Sequence, residues 1–372
     1  MLTLNPAEST IPQTLDVVTG SAVSQHPARP PAVTVIVPCY NYARFLPAAV
    51  DSALAQDGVQ VEVLIVDDAS TDGSAEVATR LAARDGRVRL IARPRNGGPV
   101  ASFNDGLAAA DGEYLIRLDA DDLLTPGSVA RATALAERYP AVGLVYGHPL
   151  HFASRRLPRH RDRATRWDVY SGAEWLELRC RLGVNCITSP EVVMRKNIVD
   201  LVGGQRSLAH THDMEMWFRL AREADVGWVG GSDQAWHREH ADSRSARQVD
   251  VMTDLHERAA AFEMLFTDGR GDPDDNARLL GLALGALANE AMARASSAYA
   301  KGRGGTPETD RYLEFADNLG IDLAGLRFTG VVREALRLGP ARSRLSPYLI
   351  AQAAAYRLSR ELGRPRWRSK GM

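Results

Sequence analysis

Short apolar runs alternate with longer stretches of helical spacing between Val33 and Gly147. Val33–Val37 is almost continuously apolar and β-branched, which is typical of a strand buried on both faces of a sheet. The predicted strands are Val33–Val37, Val61–Val66, Val88–Ile91, Tyr114–Leu118 and Val142–Tyr146. The predicted helices are Pro47–Gln56, Ser74–Ala83, Val100–Ala110 and Pro126–Arg138. This alternation predicts an α/β domain with a mostly parallel central sheet.

The pattern changes twice beyond this region. His151–Tyr170 is rich in Arg and His and has little periodicity, which predicts a loop over the sheet. From about Val251 the chain is rich in Ala, Leu and Arg at helical spacing, most clearly in Ala277–Ala300 and Leu349–Leu362. We therefore predict a disordered N-terminal tail over 1–32, two halves of one α/β domain over 33–147 and 148–245, and an all-helical C-terminal region over 246–372.

Composition and charge disfavour a nucleic-acid-binding, a secreted or a membrane-spanning protein. The net charge of −1 over 372 residues gives no reason to expect a nucleic-acid partner. Three cysteines without a CxxC pair are typical of a reducing, cytoplasmic compartment. Met1–Pro31 lacks the features of a secretory signal, and Leu279–Ala288 is too short an apolar run to span a bilayer. The basic segment Arg364–Lys370 would permit peripheral membrane contact, but it is more typical of a solvated end.

Polar residues follow three of the predicted strands. Pro38–Asn41 follows the first, Asp67–Gly73 the second and Asp119–Asp122 the fourth. Ligands of open parallel sheets bind beyond the carboxyl ends of the strands. Six aspartates at such an edge repel one another unless a cation or hydrogen-bond donors occupy the site, and Mg²⁺ with a phosphate ligand would do so. Each segment alone also fits a turn with a helix cap, but their order at consecutive strand ends favours a ligand site.

Four sequence blocks resemble the nucleotide-sugar-binding half of the family 2 glycosyltransferases. The blocks are Val35–Asn41, Leu64–Gly73, Asn96–Gly98 and Asp111–Asp122. The resemblance continues more loosely to about Ser243 and covers little of the chain after that. It implies a GT-A fold followed by the all-helical region, with the sugar donor bound by residues 33–147 and the acceptor by residues 148–245.

The resemblance also implies roles for single residues. It gives a donor site made of Pro38, Tyr40, Asn41, Asp67, Asn96, Gly98, Asp119 and Asp121. Asp67 is similar to the residue that hydrogen-bonds the base, usually uracil. Asp119 and Asp121 match the two acids of the DxD motif, of which the first lies near the ribose and the second holds Mg²⁺ or Mn²⁺. Many members have an arginine before the asparagine that is here Asn104, but this chain has Phe103, so a donor contact made there would have to come from another residue.

Two later segments resemble the acceptor side of the same family. Leu208–Leu220 resembles an acidic motif at a helix start, with His212 in place of the usual Glu, and Asp213 matches the general base. Without the resemblance, Asp213 is more typical of a carboxylate at a helix N-terminus. Trp236–Ser243 resembles the segment Tyr-Arg-x-His-x-x-Ser.

Two residues of that second segment receive roles from the resemblance. It implies that His240 is a metal ligand, and Arg238 suits a diphosphate because its guanidinium donors are forked. The same segment also fits an ordinary charged surface loop.

These features predict a metal-assisted, inverting glycosyltransferase. Its donor is a nucleotide-sugar, with UDP favoured, and its acceptor a hydroxyl of a glycan, a lipid-linked sugar or a small natural product. Three alternative roles remain open for the helical region, which could bind the acceptor, form a homodimer interface or contact a membrane.

Three other classes fit less well. A sugar-phosphate nucleotidyltransferase usually has a Gly-rich, basic loop after its first strand, and Pro38–Asn41 contains neither glycine nor lysine. No GxGxxG follows this strand, which disfavours a dehydrogenase. The set of retained aspartates disfavours a non-catalytic nucleotide-sugar-binding module. The missing QxxRW motif disfavours a membrane-embedded processive synthase.

Overall fold

The computed structural model describes residues 14–154, 156–240 and 250–371, and a ten-stranded mixed sheet crosses its centre. The strands are β1 Thr14–Thr19, β2 Ala32–Cys39, β3 Gln60–Asp67, β4 Val88–Ala92, β5 Tyr114–Arg117, β6 Leu123–Leu124, β7 Val142–Phe152, β8 Arg166–Tyr170, β9 Val193–Arg195 and β10 Asp225–Arg238. Their order is β1-β8-β10-β7-β9-β5-β2-β3-β4, with β6 paired to β10 outside this path. The predicted α/β class is confirmed.

Strands β4, β3, β2 and β5 form a parallel group. The first four helices are α1 Leu46–Leu54, α2 Ser74–Arg84, α3 Gly98–Ala108 and α4 Ser128–Arg138. On β2, Val35 and Val37 belong to one apolar core and Ile36 to the other, and all three are fully buried. Both faces of this strand are therefore covered, which explains its continuous apolar run. The parallel direction brings the polar segments after β2, β3 and β5 to one edge.

Two expectations about irregular segments were wrong. The tail predicted over 1–32 includes β1, which pairs antiparallel with β8, and residues 1–13 lie outside the described residues. The loop predicted over His151–Tyr170 ends in β8, whose antiparallel partner on its other side is β10. Trp167 and Val169 of β8 are buried and alternate with Asp168, a period of two within a segment too short to stand out in the sequence.

The second half of the domain completes the sheet and adds three helices. These are α5 Gly172–Leu182, α6 Lys196–Val202 and α7 His212–Glu223. Strand β10 runs parallel to β7 and pairs with the short β6 through Ala235 and Trp236. Because β6 directly follows Asp119–Asp122, this pairing brings the acidic turn beside the end of β10.

The C-terminal region is helical, as predicted. Its helices are α8 Val251–Phe266, α9 Pro273–Ala300, α10 Pro307–Asn318, α11 Thr329–Ser343 and α12 Pro347–Lys370. Helix α9 is 28 residues long and lies against α5, α8, α10, α11 and α12. Its apolar face shares one continuous core with α5 and α7, so the helical region packs directly on the acceptor-side half. Among the described residues, no helix is long and apolar enough to cross a membrane.

Candidate active site

One large cleft opens at the edge where the parallel strands end, with a volume of about 2310 Å³. Ten of the residues predicted for the site line it. They are Pro38, Tyr40, Asn41, Asn96, Gly98, Asp119, Asp121, Asp213, Arg238 and His240. The cleft continues beyond this group toward α9 and α12. The strand ends, the start of α7 and the end of β10 thus meet around a single space.

The turn after β2 forms one wall of the cleft. Asn41 has a positive φ of 61°, which is uncommon for a residue with a side chain. Its backbone N–H donates to the Ser70 hydroxyl at 3.0 Å, and its side-chain oxygen accepts from the Thr71 N–H at 2.8 Å. Asn41 therefore ties the turn after β2 to the turn after β3. Tyr40, its neighbour, keeps 43% of its surface exposed in the cleft.

The two aspartates after β3 differ in position. Asp67 is 3% exposed, its Oδ2 accepts from the Ser70 N–H at 3.2 Å, and it is not part of the cleft wall. Asp68 lines the cleft instead. Its carboxylate accepts from the backbone N–H groups of Gly97 and Gly98 at 2.9 and 2.8 Å. The donor role of Asp67 stays a prediction, and Asp68 is an additional acid in the cleft wall.

The segment that Asp68 holds carries two of the predicted donor residues. Arg93 forms a salt bridge with Asp68, and its Nε donates to Asp105 at 2.7 Å. Asn96 and Gly98 lie in the cleft wall next to these contacts. Asp68 thus fixes the position of this part of the wall.

The acidic turn after β5 is held by contacts from three directions. Arg117 donates to Asp119 at 3.0 Å, and the Asp122 carboxylate accepts from the Arg238 N–H at 2.7 Å. His237 Nδ1 lies 3.0 Å from Asp122 Oδ2. Burial, together with the charges of Asp122 and Asp119, raises the pKa of Asp121 to about 6. Each of these carboxylates opposes the ionisation of its neighbour, because two negative charges close together repel each other. Such a cluster is expected where a cation binds.

Arg238 and His240 lie beside this turn at the end of β10. Arg238 donates through Nε to the Asp121 carbonyl oxygen at 2.9 Å, and its guanidinium lies 4.7 and 4.5 Å from the ring centres of Phe45 and Phe152. His240 Nε2 lies 2.8 Å from Asp121 Oδ2. These contacts hold the side chains of Arg238 and His240 against the acidic turn.

Asp121 and His240 are the residues that could hold a metal. One carboxylate and one imidazole leave most positions of a six-coordinate ion to phosphate oxygens and water, which is how Mg²⁺ usually binds with a nucleotide. Throughout the described ranges, no cluster of three or more His, Cys, Asp or Glu residues suited to a metal was found. Asp121 and His240 therefore fit a metal ion whose remaining ligands are phosphate oxygens and water.

Asp213 lies at the start of α7 and lines the same cleft. Its Oδ2 accepts from the Ser189 hydroxyl at 2.9 Å and its Oδ1 from the Met214 N–H at 2.7 Å. Burial raises the pKa of Asp213, whereas the positive charge of Arg117 and the Ser189 hydrogen bond oppose this. A carboxylate with a raised pKa suits proton abstraction better than an ordinary surface aspartate.

Sequence reasoning missed several of these residues. Arg117, which also donates to Gln205 at 3.0 Å, lies with its guanidinium 5.9 Å from the centre of the Phe103 ring. It therefore supplies a cation next to the position where many family members have arginine. Asn104 instead exchanges two hydrogen bonds of 2.8 Å with the backbone of Gln205 and lies outside the cleft wall. The one sequence signal that could have indicated Arg117 is its position two residues before the acidic turn.

Comparison with known proteins gives a family match over part of the chain. The model of the family described as Glycosyl transferase family 2 matches residues 34–199. The chain is 44% identical over 113 residues to the succinoglycan biosynthesis protein ExoO of Rhizobium meliloti (strain 1021). That match covers 30% of this chain and 31% of ExoO, so the chain spans about a third of this relative's length. The predicted resemblance to family 2 of the glycosyltransferases is therefore confirmed over residues 34–199.

Two solved structures show the same fold. The S. aureus TarS 1–349 complex with UDP-GlcNAc aligns with a TM-score of 0.54 at 16% identity, over 77% of this chain and 91% of that one. The Pyrobaculum calidifontis mannosyltransferase PcManGT, in complex with GDP-Man and Mn²⁺, aligns with a TM-score of 0.53 at 20% identity, over 89% and 88%. The predicted GT-A fold is therefore confirmed.

Proposed function

We propose that this protein is a glycosyltransferase that moves a sugar from a nucleotide-sugar to an acceptor hydroxyl with inversion of the anomeric centre. The observation that carries the proposal is that Asp119, Asp121, Arg238 and Asp213 line one cleft. Asp121 and Arg238 suit the diphosphate end of a donor, Asp119 suits its ribose, and Asp213 suits an attacking hydroxyl. A non-catalytic binding module would have no use for a buried carboxylate with a raised pKa at the acceptor side.

The donor half of the cleft fits a nucleoside diphosphate. Tyr40 offers an exposed ring next to Asp68 and the Asn96–Gly98 segment, which together would hold the base and ribose. UDP is favoured by the family resemblance. Relatives of this fold hold UDP-GlcNAc in TarS and GDP-Man in PcManGT, so the fold alone does not choose the base. A nucleotidyltransferase is disfavoured because no Gly-rich, basic loop follows β2.

The reaction requires positive charge beside the departing diphosphate and a general base beside the acceptor hydroxyl. Arg238 would donate to the diphosphate as the glycosidic bond breaks. Mg²⁺ or Mn²⁺ held by Asp121 and His240 would supply further positive charge there when bound. Asp213 would accept the proton of the acceptor hydroxyl as its oxygen attacks the anomeric carbon from the opposite side. One displacement of this kind inverts the configuration.

Calorimetry and a turnover assay with the purified protein test the proposal. We expect one of UDP, GDP or dTDP to bind more tightly with Mn²⁺ than with a chelator. The matching nucleotide-sugar should be hydrolysed slowly in the absence of acceptor, with release of the nucleoside diphosphate. A protein that binds none of the three in a metal-dependent way and releases no diphosphate from a panel of nucleotide-sugars would refute the function.

A further inference from the structure

The cleft is larger than a nucleotide-sugar needs. Pockets for single small ligands usually measure about 300–1,000 Å³, whereas this cleft reaches about 2310 Å³. The additional space lies against the helical region. We call it the distal cleft and define it by Arg258, Gly281, Glu290, Arg294, Phe328 and Tyr356, all of which line the same cavity as the donor residues.

One side of the distal cleft is a fixed polar network. Arg258 donates to Glu290 at 3.0 Å, and Arg294 donates to the other oxygen of Glu290 at 2.7 and 3.0 Å. The three side chains are 6%, 18% and 22% exposed. These planar groups hold one another in place in the cavity wall. Such groups suit a ligand with several hydroxyls in a defined geometry.

Another part of the distal cleft wall is aromatic. The rings of Phe328 and Tyr356 meet edge to face with centroids 5.8 Å apart. Arg327, also in the cavity wall, has its guanidinium 5.2 Å from the centre of the Phe328 ring. A ligand that contacts both the polar network and the aromatic rings needs hydroxyls and apolar faces, which is the chemistry of a chain of pyranose rings. A purely lipidic ligand would place apolar groups against the charged Arg258–Glu290–Arg294 network.

The distal cleft is connected to the candidate base by one segment of chain. At its beginning, the Gly183 carbonyl oxygen accepts from Arg258 Nη1 at 2.6 Å. At its end, Ser189 donates to Asp213 at 2.9 Å. Asn185 and Thr188, between them, also line the cavity. A ligand that follows this segment from the distal cleft arrives at Asp213.

We propose that the distal cleft binds an oligosaccharide acceptor of more than one sugar unit, with its terminal sugar at Asp213 and the preceding units between α9 and α12. This selects a glycan from among the acceptors that the proposed function leaves open, and it rests on that function only for the direction in which the acceptor lies. The helical region is then part of the substrate site.

Gly281 on α9 allows this to be tested without disturbing the core. A Cβ at Gly281 meets nothing within 4 Å, and its φ is not in the left-handed region. Gly281→Phe therefore adds a ring to the wall of the distal cleft from a position with open space around its Cβ. Gly330 of α11 is a matched control, because it also has open space around a new Cβ but is not part of the cavity wall. Melting temperatures of both variants should stay near that of the wild type.

The measurement is binding to a printed array of bacterial oligosaccharides and monosaccharides, in the presence of UDP and Mn²⁺. We expect the wild type to retain oligosaccharides and not the monosaccharides. Gly281→Phe should lower this signal at least tenfold, and Gly330→Phe should leave it unchanged. Equal signals for the wild type and Gly281→Phe, or no oligosaccharide above background, would overturn the proposal. So would retention on phosphatidylglycerol vesicles alone that Gly281→Phe abolishes, since this would assign the distal cleft to lipid.

Nucleotide binding is measured separately, so the two proposals can fail independently. If UDP, GDP and dTDP do not bind and no donor is hydrolysed, the glycosyltransferase function fails, while array binding that Gly281→Phe abolishes still supports a glycan site. If a nucleotide binds equally to both glycine variants but no array signal responds to Gly281→Phe, the donor function stands and the distal-cleft proposal is wrong.

Discussion

Nε2 of His240 lies 2.8 Å from Oδ2 of Asp121, although 119 positions separate the two residues in the chain. The pairing of β6 with β10 brings them together, and the Phe45 ring packs against His240 at a centroid distance of 5.5 Å. The acidic turn and the end of β10 therefore act as one unit at the proposed diphosphate site.

We expect Asp121→Ala to abolish metal-dependent turnover and to leave the fold intact. The protein without metal should melt at the same or a higher temperature, because the variant removes a carboxylate that is repelled by Asp119 and Asp122. His240→Ala should raise the Mn²⁺ concentration needed for half-maximal turnover. His210→Ala is the control, since His210 lines the same cleft away from this pair. Unchanged activity in Asp121→Ala would refute the metal assignment.

Glu257 of α8 connects the helical region to the candidate base. Its carboxylate accepts from the His210 N–H at 2.8 Å, and its carbonyl oxygen accepts from the Thr211 hydroxyl at 2.9 Å, directly before α7 begins. Glu257→Ala should lower kcat by roughly tenfold, the effect of about 1.4 kcal/mol on the barrier, because Asp213 loses a support for its position. The nucleotide Kd should not change.

The control for this positioning role is Glu263→Ala, which removes an exposed carboxylate from the same helix. An equal loss of kcat in both variants would indicate a general effect on α8. An unchanged kcat in Glu257→Ala would show that Glu257 does not position the base.

The sequence predicted the strands and the acidic turns well, because each is a local pattern. It did not single out Asp68, because the contacts of its carboxylate with the Gly97 and Gly98 N–H groups join residues 29 and 30 positions apart. The contact of His237 with Asp122 was also missed, because it joins residues 115 positions apart. Such contacts follow from the strand order, which no local pattern contains.

Glu191 should make stability depend on pH. It is 2% exposed, Oε1 accepts from the Thr188 N–H at 2.6 Å, and burial raises its pKa from 4.5 to about 7. Since the folded state holds this proton more tightly than the unfolded state, the stabilising contribution of Glu191 is fully present below pH 4.5 and is lost as the pH rises through about 7. Glu191→Gln keeps the acceptor and removes the charge, so it should be more stable than the wild type at pH 8, by up to about 3 kcal/mol.

Thermal melts of both proteins at pH 4.5 and pH 8 measure this difference. The variant should differ little from the wild type at the lower pH, where Glu191 is protonated in the folded state. Glu314→Gln, on the exposed surface of α10, is the control and should show no such divergence. A wild type that is as stable as Glu191→Gln at pH 8 would contradict a buried, protonated Glu191.

If Asp213 is the base, Asp213→Asn should lower kcat by roughly 100-fold or more, the usual effect of losing an acid–base group. Asn keeps the shape and can still accept from Ser189, so the donor KM should change little where chemistry is slower than dissociation. In the wild type, the rate should fall on the acid side at a pH above the usual range for aspartate, because burial raises the pKa of this carboxyl and its ionised form is required.

Proton NMR of the product tests the mechanism apart from the residue. One displacement assisted by one base gives an inverted anomer, so a retained anomer would refute the mechanism whichever side chain acts. Full activity in Asp213→Asn would refute only the residue. Glu215 could not replace it, because its carboxylate is fully buried and holds Arg219 at 2.8 and 3.0 Å and Arg206 at 3.0 Å. His212, which lines the cleft next to Asp213, would then be the side chain to replace next.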